Sequence, residues 1–574
     1  RQDSLRAVLI KRKVSYQDLK LIRKFPLYNI GSFSGGLKAE KQNKRILPFK
    51  DLAARTIGYK KPGITVGLEG AYGEYINGKS GKQMKQRSVG GIWTPINNEA
   101  EIASTDGADI ISSIDINMQD LVQNALKEGL KKSKAHHGTA ILMEVATGEV
   151  RAVANYTEVE EGEYRESFNY AIAGNQDPGS TFKLASYMAL LEDKLVDTNT
   201  MVRTGWYQIP GKRITDSHPV DEMVTVKKAF ETSSNAAIAK LINDNYSGDP
   251  MKFTDHLYSW GFNKKMDLQI PGESQPVVKN IRDNRSWNKK MTLPQMAYGY
   301  EMQLTPLKML SFYNAVANNG KYVAPLFVKE IRRLGNPIEQ FKAKVINNKI
   351  CSDETLAKIK SMLEGVVTNG SGRQIVYNPL YKIAGKTGTA QVANGDKGYK
   401  DKKYQASFVG YFPAEQPKYS LIVVINDPKG EYYGSLVAGP VFRKIADRIY
   451  AGDVKMYSDV KENLVGNTVI PSAKAGASKA TQKVYKAFGI KTLYAAKSDY
   501  FNSVDTSNGI AYQDNTPVKG IMPNVAGMGL KDAMYLIGNA GLKARVKGSG
   551  KVVGQSIAAG TRIGKGLMVE IALN

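Results

Sequence analysis

At 574 residues the chain is too long for one hydrophobic core and implies about three or four folding units. Hydrophobic residues make up 42% and charged residues 23%, which excludes wholesale disorder. The 80 basic against 54 acidic side chains leave a net charge of +26, pointing to a polyanionic neighbour: nucleic acid, an anionic membrane surface or an acidic envelope polymer.

Residues 1–60 carry 15 basic and 4 acidic side chains, so this segment is expected to lie nearest that anionic surface. Its apolar pattern is too irregular for one long helix and reads as extended or mixed structure. The chain opens at Arg1 with no signal peptide, read here as a trimmed start whose anchoring segment lies outside this sequence. No apolar run reaches the roughly 18 to 20 residues that span a bilayer. Gly67 to Tyr75, followed by Gly78 and Gly81, predicts a short helix and a glycine turn. Ile110, Ile111 and Ile114 predict a strand, and Asp115 is placed to cap a helix running to about Lys132.

Gly138–Val145 and Val150–Ala154 read as a β-hairpin that opens a new domain. Helical patterns follow from Ser180 to about Tyr258 and from Lys290 to Asn319, with Pro306 in the first turn of the last helix. Strands return at Ile383–Val392, Ala406–Phe412 and Tyr419–Ile425. That order predicts an α+β domain in which the two chain ends complete one sheet and helices cover it. Residues 456–520 read as a linker or partly ordered connection with one possible helix at Ala477–Ala487. The last stretch, with a helix at Gly529–Ala540 and strands near Lys543–Lys547 and Leu567–Leu573, reads as a small β-plus-one-helix module.

Cys351 is the only cysteine, which rules out an intrachain disulfide and a cysteine-rich metal site; it is expected as a buried apolar residue. The four histidines, His136, His137, His218 and His256, show no metal-ligand spacing, so zinc is not expected. The His136–His137 pair reads as a loop-to-strand junction.

Three stretches carry chemistry together. In Ser180-Thr181-Phe182-Lys183, a hydroxyl and an amine share a helix face at i and i+3, and a lysine neutralised by burial or nearby cations can activate a serine. In Ser233-Ser234-Asn235, 53 residues downstream, the residues are ordinary helix caps or a proton relay with an orienting amide. In Lys386-Thr387-Gly388-Thr389, 153 residues beyond Ser233, Gly388 lets another backbone approach and the lysine with two hydroxyls suits a carboxylate. Each alone reads equally as a cap, a solvated lysine or a strand bulge. Together and in this order they form the Ser-x-x-Lys, Ser-x-Asn, Lys-Thr-Gly set of β-lactamases and penicillin-binding proteins.

The sequence resembles that family beyond the three motifs. Gly299-Tyr300, Thr305-Pro306-Leu307, Asn318-Asn319-Gly320, and Val366-Val367 with Gly370-Ser371-Gly372 are similar to the high-molecular-weight transpeptidase domain. Leu52 to Tyr59 and Gly67 to Tyr72 resemble the non-catalytic module of class B penicillin-binding proteins, and the last 54 residues resemble a PASTA domain. Two departures stand out. The Arg-Gly-x-Ile-x-Asp-Arg segment usual after the membrane anchor is absent, and Ser234 stands where β-lactamases commonly carry aspartate.

The resemblance implies an N-terminal pedestal- or dimerisation-type module (1–135), a transpeptidase domain built on an antiparallel sheet flanked by helices (136–455), the connection (456–520) and a PASTA domain (521–574). It implies that Ser180 attacks the penultimate D-Ala carbonyl of a stem peptide ending in D-Ala-D-Ala, with Lys183 as base. Ser233 passes the proton to the leaving amine, Asn235 orients the lysine and the substrate carbonyl, and Lys386 keeps the field positive and depresses the Lys183 pKa. The backbone N–H groups of Ser180 and Thr389 form the oxyanion hole, while Thr387 and Thr389, with Gly388 between them, bind the donor carboxylate. Attack by a second stem-peptide amine completes a septal cross-link with no metal or cofactor needed, and β-lactams acylate Ser180. The implied partners are a separate glycosyltransferase, other division proteins and, through an N-terminal anchor, the bacterial cytoplasmic membrane, with this region outside the cytoplasm. A carboxypeptidase or β-lactamase admitting water, or a β-lactam-sensing or envelope-binding protein, uses the same fold. Nucleic-acid binding ranks last, because no reading motif accompanies the charge.

Overall fold

The computed structural model describes residues 8–30, 34–40, 45–87, 93–96, 102–217, 221–282, 287–392, 403–452, 474–488, 497–506 and 509–574. The expectations on Arg1, on His218 and on residues 456–473 of the connection lie outside these. The chain divides into two compact units, Arg1–Tyr457 and Ser458–Asn574.

The first unit begins with short elements, as the irregular pattern of residues 1–60 predicted. Helix Tyr16–Ile22, capped by the Ser15 hydroxyl, buries none of its residues. A hairpin of Tyr59–Lys61 and Ile64–Val66 precedes two short helices, Gly67–Ala71 and Gly73–Ile76. Side chains of the sheet domain hold the backbone just before this hairpin. Ala53 N–H donates to Gln123 Oε1 at 3.2 Å and Arg55 N–H to Glu166 Oε2 at 2.9 Å.

Next come strand β1 (Asp109–Ser112) and helix α1 (Ile116–Ser133). The Asp115 carboxylate caps α1, accepting the N–H groups of Asn117 and Met118, and lysines sit in its last turn, where they favour the negative end of the helix dipole. Strands β2 (His137–Glu144), β3 (Val150–Glu160) and β4 (Glu163–Arg165) follow, then helices α2 (Lys183–Glu192), α3 (Val226–Glu231), α4 (Asn235–Tyr246), α5 (Pro306–Ala317) and α6 (Asp353–Thr368). Strands β5 (Ala384–Val392), β6 (Lys403–Phe412) and β7 (Tyr419–Asn426) and helix α7 (Gly434–Gly452) close the unit.

The six strands form one antiparallel sheet in the order β5-β6-β7-β2-β3-β4. Late strand β7 pairs with early strand β2 from Tyr419 opposite Glu144 to Asn426 opposite His137. The sheet is therefore completed by both chain ends. Its side chains alternate between two cores, which is why the strands read as nearly continuous apolar runs. In β2, Ile141 and Met143 pack with α2, α4 and α5 on one face, while Ala140 and Leu142 pack with α1 and α7 on the other. Cys351 is buried as expected, and burial pushes its thiol up to about 12.

Helices dominate from Ser180 to about Tyr258 as expected, with two short hairpin-like pairings set among them that the sequence pattern did not show. Met201–Arg203 pairs with Met223–Thr225, and Trp206–Ile209 with Lys212–Thr215. These strands are only three or four residues long, too short for alternation to show, but Pro210-Gly211 marks the turn of the second hairpin.

In the second unit, helix α8 (Ser478–Ala487) occupies the possible helix noted above. Strands β8 (Tyr500–Thr506) and β9 (Gly509–Asp514) form a hairpin, and Gly476–Ala477 adds a short third strand. The stretch read as a connection thus holds a βαββ arrangement. Its polar strand residues, such as Asn502, Ser503 and Asp505, concealed it, while Phe501 is fully buried and packs edge-on against Tyr512. Helix α9 (Leu530–Asn539) then packs on strands β10 (Lys543–Lys547), β11 (Val552–Gln555) and β12 (Met568–Leu573), ordered β10-β12-β11. Val525, Met528, Leu536, Ile537, Val569 and Ile571 are its core.

Candidate active site

The turn Gly179–Phe182 is a 3₁₀ helix that runs directly into α2. In a 3₁₀ turn residues i and i+3 eclipse one another, which brings Ser180 and Lys183 onto one line. Nearly every residue of α2 is buried, so the helix and its lysine are held from all sides. Phe182, fully buried, packs edge-on against Phe262 at 5.5 Å between ring centroids. Tyr313 Oη donates to Thr181 O at 2.7 Å, and Gly179 N–H donates to Gly299 O at 3.1 Å. A Cβ at Gly299 would lie 2.1 Å from Gly179 O, so only glycine permits this approach. Phe182→Ala is expected to cost about 3–5 kcal/mol through lost burial and the cavity left behind. A lower denaturation midpoint for loss of penicillin binding would measure it.

Lys183 is fully buried, and its Nζ donates to Ser233 O at 2.5 Å and to Ser233 Oγ at 3.2 Å. Ser233 has a φ of +64°, left-handed backbone that a serine adopts only under local constraint. This bend between α3 and α4 turns both its carbonyl and its hydroxyl to the lysine. Ser180 is partly exposed, and its Oγ has no hydrogen-bond partner among the described residues.

Lys386, Thr387, Gly388 and Thr389 lie on β5, the edge strand of the sheet. A Cβ at Gly388 would lie 2.8 Å from Thr181 Cγ2 and 2.2 Å from Ser407 Oγ, so the bare glycine lets the nucleophile turn pack on this strand. Thr387 Oγ1 shares a 2.7 Å hydrogen bond with Ser371 Oγ, and Thr389 Oγ1 accepts the Gly434 N–H at 3.0 Å. Gln391 N–H donates to Tyr300 Oη at 3.0 Å, away from the ladder. With the two-residue repeat of a strand, Thr389 N–H faces the same open edge.

The two lysines differ from the sequence expectation. Burial brings Lys183 down to about 7, with Asp216 opposing the shift. Lys386 is held well below the usual lysine range, by burial first and the charge of Lys183 second. Two ammonium groups in one dry pocket do not both stay charged. The depressed Lys183 is therefore a product of burial rather than of a permanently charged Lys386. Asn235 is also placed differently: its Nδ2 donates to Thr215 O at 3.2 Å, and among the described residues Lys183 Nζ donates only to Ser233.

A family model described as the penicillin binding protein transpeptidase domain matches residues 138–447, more than half of the chain. The chain belongs to this family. A PASTA domain model matches residues 520–573, and this is a class B penicillin-binding protein with a C-terminal PASTA domain. The chain is 29% identical over 435 residues to the peptidoglycan D,D-transpeptidase FtsI of Buchnera aphidicola subsp. Schizaphis graminum, covering 74% of this chain and 72% of that protein. The FtsI of Escherichia coli K12 is 29% identical over 422 residues, covering 71% and 67%. Penicillin binding protein 3 of Mycobacterium tuberculosis, solved in its apo form, aligns with a TM-score of 0.61 at 25% identity, covering 72% of this chain and 91% of that one. The same protein has been solved with aztreonam.

In this penicillin-binding protein one residue that the motifs do not reveal ties the site together. Asp216 follows the short strand Lys212–Thr215. Its Oδ1 accepts the N–H groups of Asn235 at 2.6 Å and Ala236 at 2.9 Å, and its Oδ2 accepts the Ser234 hydroxyl at 2.7 Å and the Gly205 N–H at 2.8 Å. It caps α4 from 19 residues upstream of Asn235, a distance at which no local pattern signals a cap. Asp216 is also the carboxylate that favours the charged form of Lys183. Asp216→Asn is expected to move the acidic limb of the pH–acylation profile to lower pH, because Lys183 then loses its proton more easily. Stopped-flow acylation from pH 5 to 9 would show the shift.

Proposed function

We propose that this protein is a serine D,D-transpeptidase that cross-links peptidoglycan stem peptides in septal wall synthesis, through an acyl-enzyme on Ser180. The observation that carries the reading is a fully buried lysine, brought down to about 7, beside a serine turn and bonded to Ser233. That is the environment a general base needs at neutral pH.

Ser180 Oγ attacks the carbonyl of the penultimate D-Ala and gives its proton to neutral Lys183. The oxyanion accepts hydrogen bonds from the N–H groups of Ser180 and Thr389. Lys183 returns the proton through Ser233 Oγ to the leaving D-Ala amine, and the C–N bond breaks. The amine of a second stem peptide then forms a C–N bond to the acyl carbon, and Ser180 Oγ departs and regains its proton. The donor carboxylate lies at Thr387 and Thr389, and its negative charge favours return of a proton to Lys386. Gly388 keeps the strand bare for its approach, and Asn235 holds the substrate carbonyl. Residues 1–135 form the non-catalytic module, 136–455 the catalytic domain, 456–520 the connection and 521–574 the PASTA domain. The protein works outside the cytoplasm, anchored through an N-terminal membrane segment, alongside a separate glycosyltransferase and other division proteins.

The test is an intact mass after exposure to a fluorescent penicillin, followed by peptide mapping. A persistent adduct on the peptide holding Ser180 supports the reading. Unmodified protein with intact drug overturns it, and rapid consumption of the drug makes the protein a β-lactamase. Transfer from a D-Ala-D-Ala donor to an added amine separates transpeptidase from carboxypeptidase.

A further inference from the structure

The open edge of β5 suits strand addition, and Tyr300 limits how far that addition can run. Gln391 N–H, which points to the same edge as Thr389 N–H, is already held by Tyr300 Oη at 3.0 Å. A donor lying antiparallel to β5, its reacting carbonyl at Thr389 N–H, would exchange its next pair of backbone bonds two residues on, at Gln391. That position is taken. Such a donor would leave the strand after its penultimate D-Ala, and the residue before it would lie at the Tyr300 ring.

Lys212 brings a cation to that ring. It opens the second strand of the hairpin formed by Trp206–Ile209 and Lys212–Thr215, whose far end is fastened to the site, because Thr215 O accepts Asn235 Nδ2 at 3.2 Å. Lys212 Nζ lies 5.9 Å from the centroid of the Tyr300 ring and donates to Gln295 Oε1 at 2.8 Å. One hairpin thus runs from the Ser-x-Asn turn to the end of β5. The ammonium has only a neutral amide to bond, and among the described residues it forms no ion pair. Glu301, the carboxylate that acts on it, is engaged in an ion pair with Lys279. Lys212 stays exposed to solvent, while partial burial lowers its pKa against the pull of Glu301. Arg213, also exposed, stacks its guanidinium 4.5 Å from the centroid of the Trp206 ring and adds positive charge to the same hairpin. A partly desolvated ammonium bonded only to an amide gains most from a carboxylate that arrives with the ligand, and a second cation would be repelled.

We propose that Lys212 reads a side-chain carboxylate on the donor residue that precedes the D-Ala pair, at the place where the donor leaves β5 over Tyr300. The proposal rests on the acyl-transfer reading above and adds the class of donor to it: an anionic peptide rather than a neutral or cationic one. Lys212 meets the donor away from the reacting carbonyl, so its contact is the same before and during bond formation and acts on KM rather than kcat.

The experiment uses the full chain and three depsipeptide donors, acetyl-Glu-D-Ala-D-lactate and its Gln and Lys counterparts, with release of D-lactate as the readout. The unaltered protein should use the Glu donor about ten-fold better than the Gln donor, as expected for one charge-assisted contact, with the difference in KM and the Lys donor used least. Lys212→Met should bring the Glu and Gln donors together, and Lys212→Glu should invert the order in favour of the Lys donor, a change that a merely structural role would not produce. Covalent labelling by a fluorescent penicillin shows that each variant keeps a folded site. Should neither variant label, loss of the Glu preference of the unaltered protein at high salt supports the proposal and its persistence overturns it. Equal use of the Glu and Gln donors by the unaltered protein, or an unchanged preference in Lys212→Met, also overturns it. If the unaltered protein neither takes up penicillin at Ser180 nor releases D-lactate, the acyl-transfer reading fails and the subsite with it; penicillin uptake with equal use, or no use, of the donors fails the subsite alone.

Discussion

Ser180→Ala is expected to abolish the covalent penicillin adduct while leaving the fold intact. The side chain is partly exposed and its hydroxyl has no hydrogen-bond partner among the described residues, so its removal leaves no buried donor or acceptor unsatisfied and opens no core cavity. The turn is held by Phe182, Thr181 and Gly179, whose contacts do not involve the serine hydroxyl. Intact mass should show unmodified protein after an exposure that fully labels the parent, and circular dichroism should superpose. An adduct of full stoichiometry in the variant would move the nucleophile elsewhere.

Lys183→Met is expected to slow acylation by roughly 10²- to 10⁴-fold, the range of a positioned general base. Methionine keeps the apolar volume that the fully buried side chain fills, so the loss reports on the amine rather than on packing. In the parent, acylation needs neutral Lys183; because burial brings that amine down to about 7, the rate should climb through neutrality and level off at alkaline pH. The methionine variant should lose this limb. An acylation rate still rising through pH 7 in the variant would assign the titration to another group.

These two expectations rest on residues visible in the sequence, whereas the Asp216 expectation does not. Ser180, Lys183, Ser233 and Lys386 announce themselves because three short motifs recur in order, each on an element its own residues specify. Proline and glycine turn the chain before Ser180, serine caps α4, and Lys386 stands at the start of a strand pattern. Asp216 has no such signature: its four bonds reach residues 11 to 20 positions away, and an isolated aspartate after a short strand reads as a loop residue. The hairpins around it were hidden for the same reason, being too short for periodicity to rise above the helical background. The hairpin β8–β9 escaped notice because polar residues such as Asn502, Ser503 and Asp505 break up its apolar pattern.

The motifs Ser180–Lys183, Ser233–Asn235 and Lys386–Thr389, together with the strand-helix-strand order, were determined by the sequence alone, since each depends on local propensity and on spacing along the chain. The tertiary structure decided that burial lowers both lysines and that Asp216 stands against the shift at Lys183. Lys183 and Lys386 are 203 positions apart, and only burial in one pocket makes their charges compete. Asp216 beside the Ser233 turn follows from the same cause. Desolvation and Coulomb energy depend on distance in space and on excluded water, quantities that no spacing in the sequence encodes.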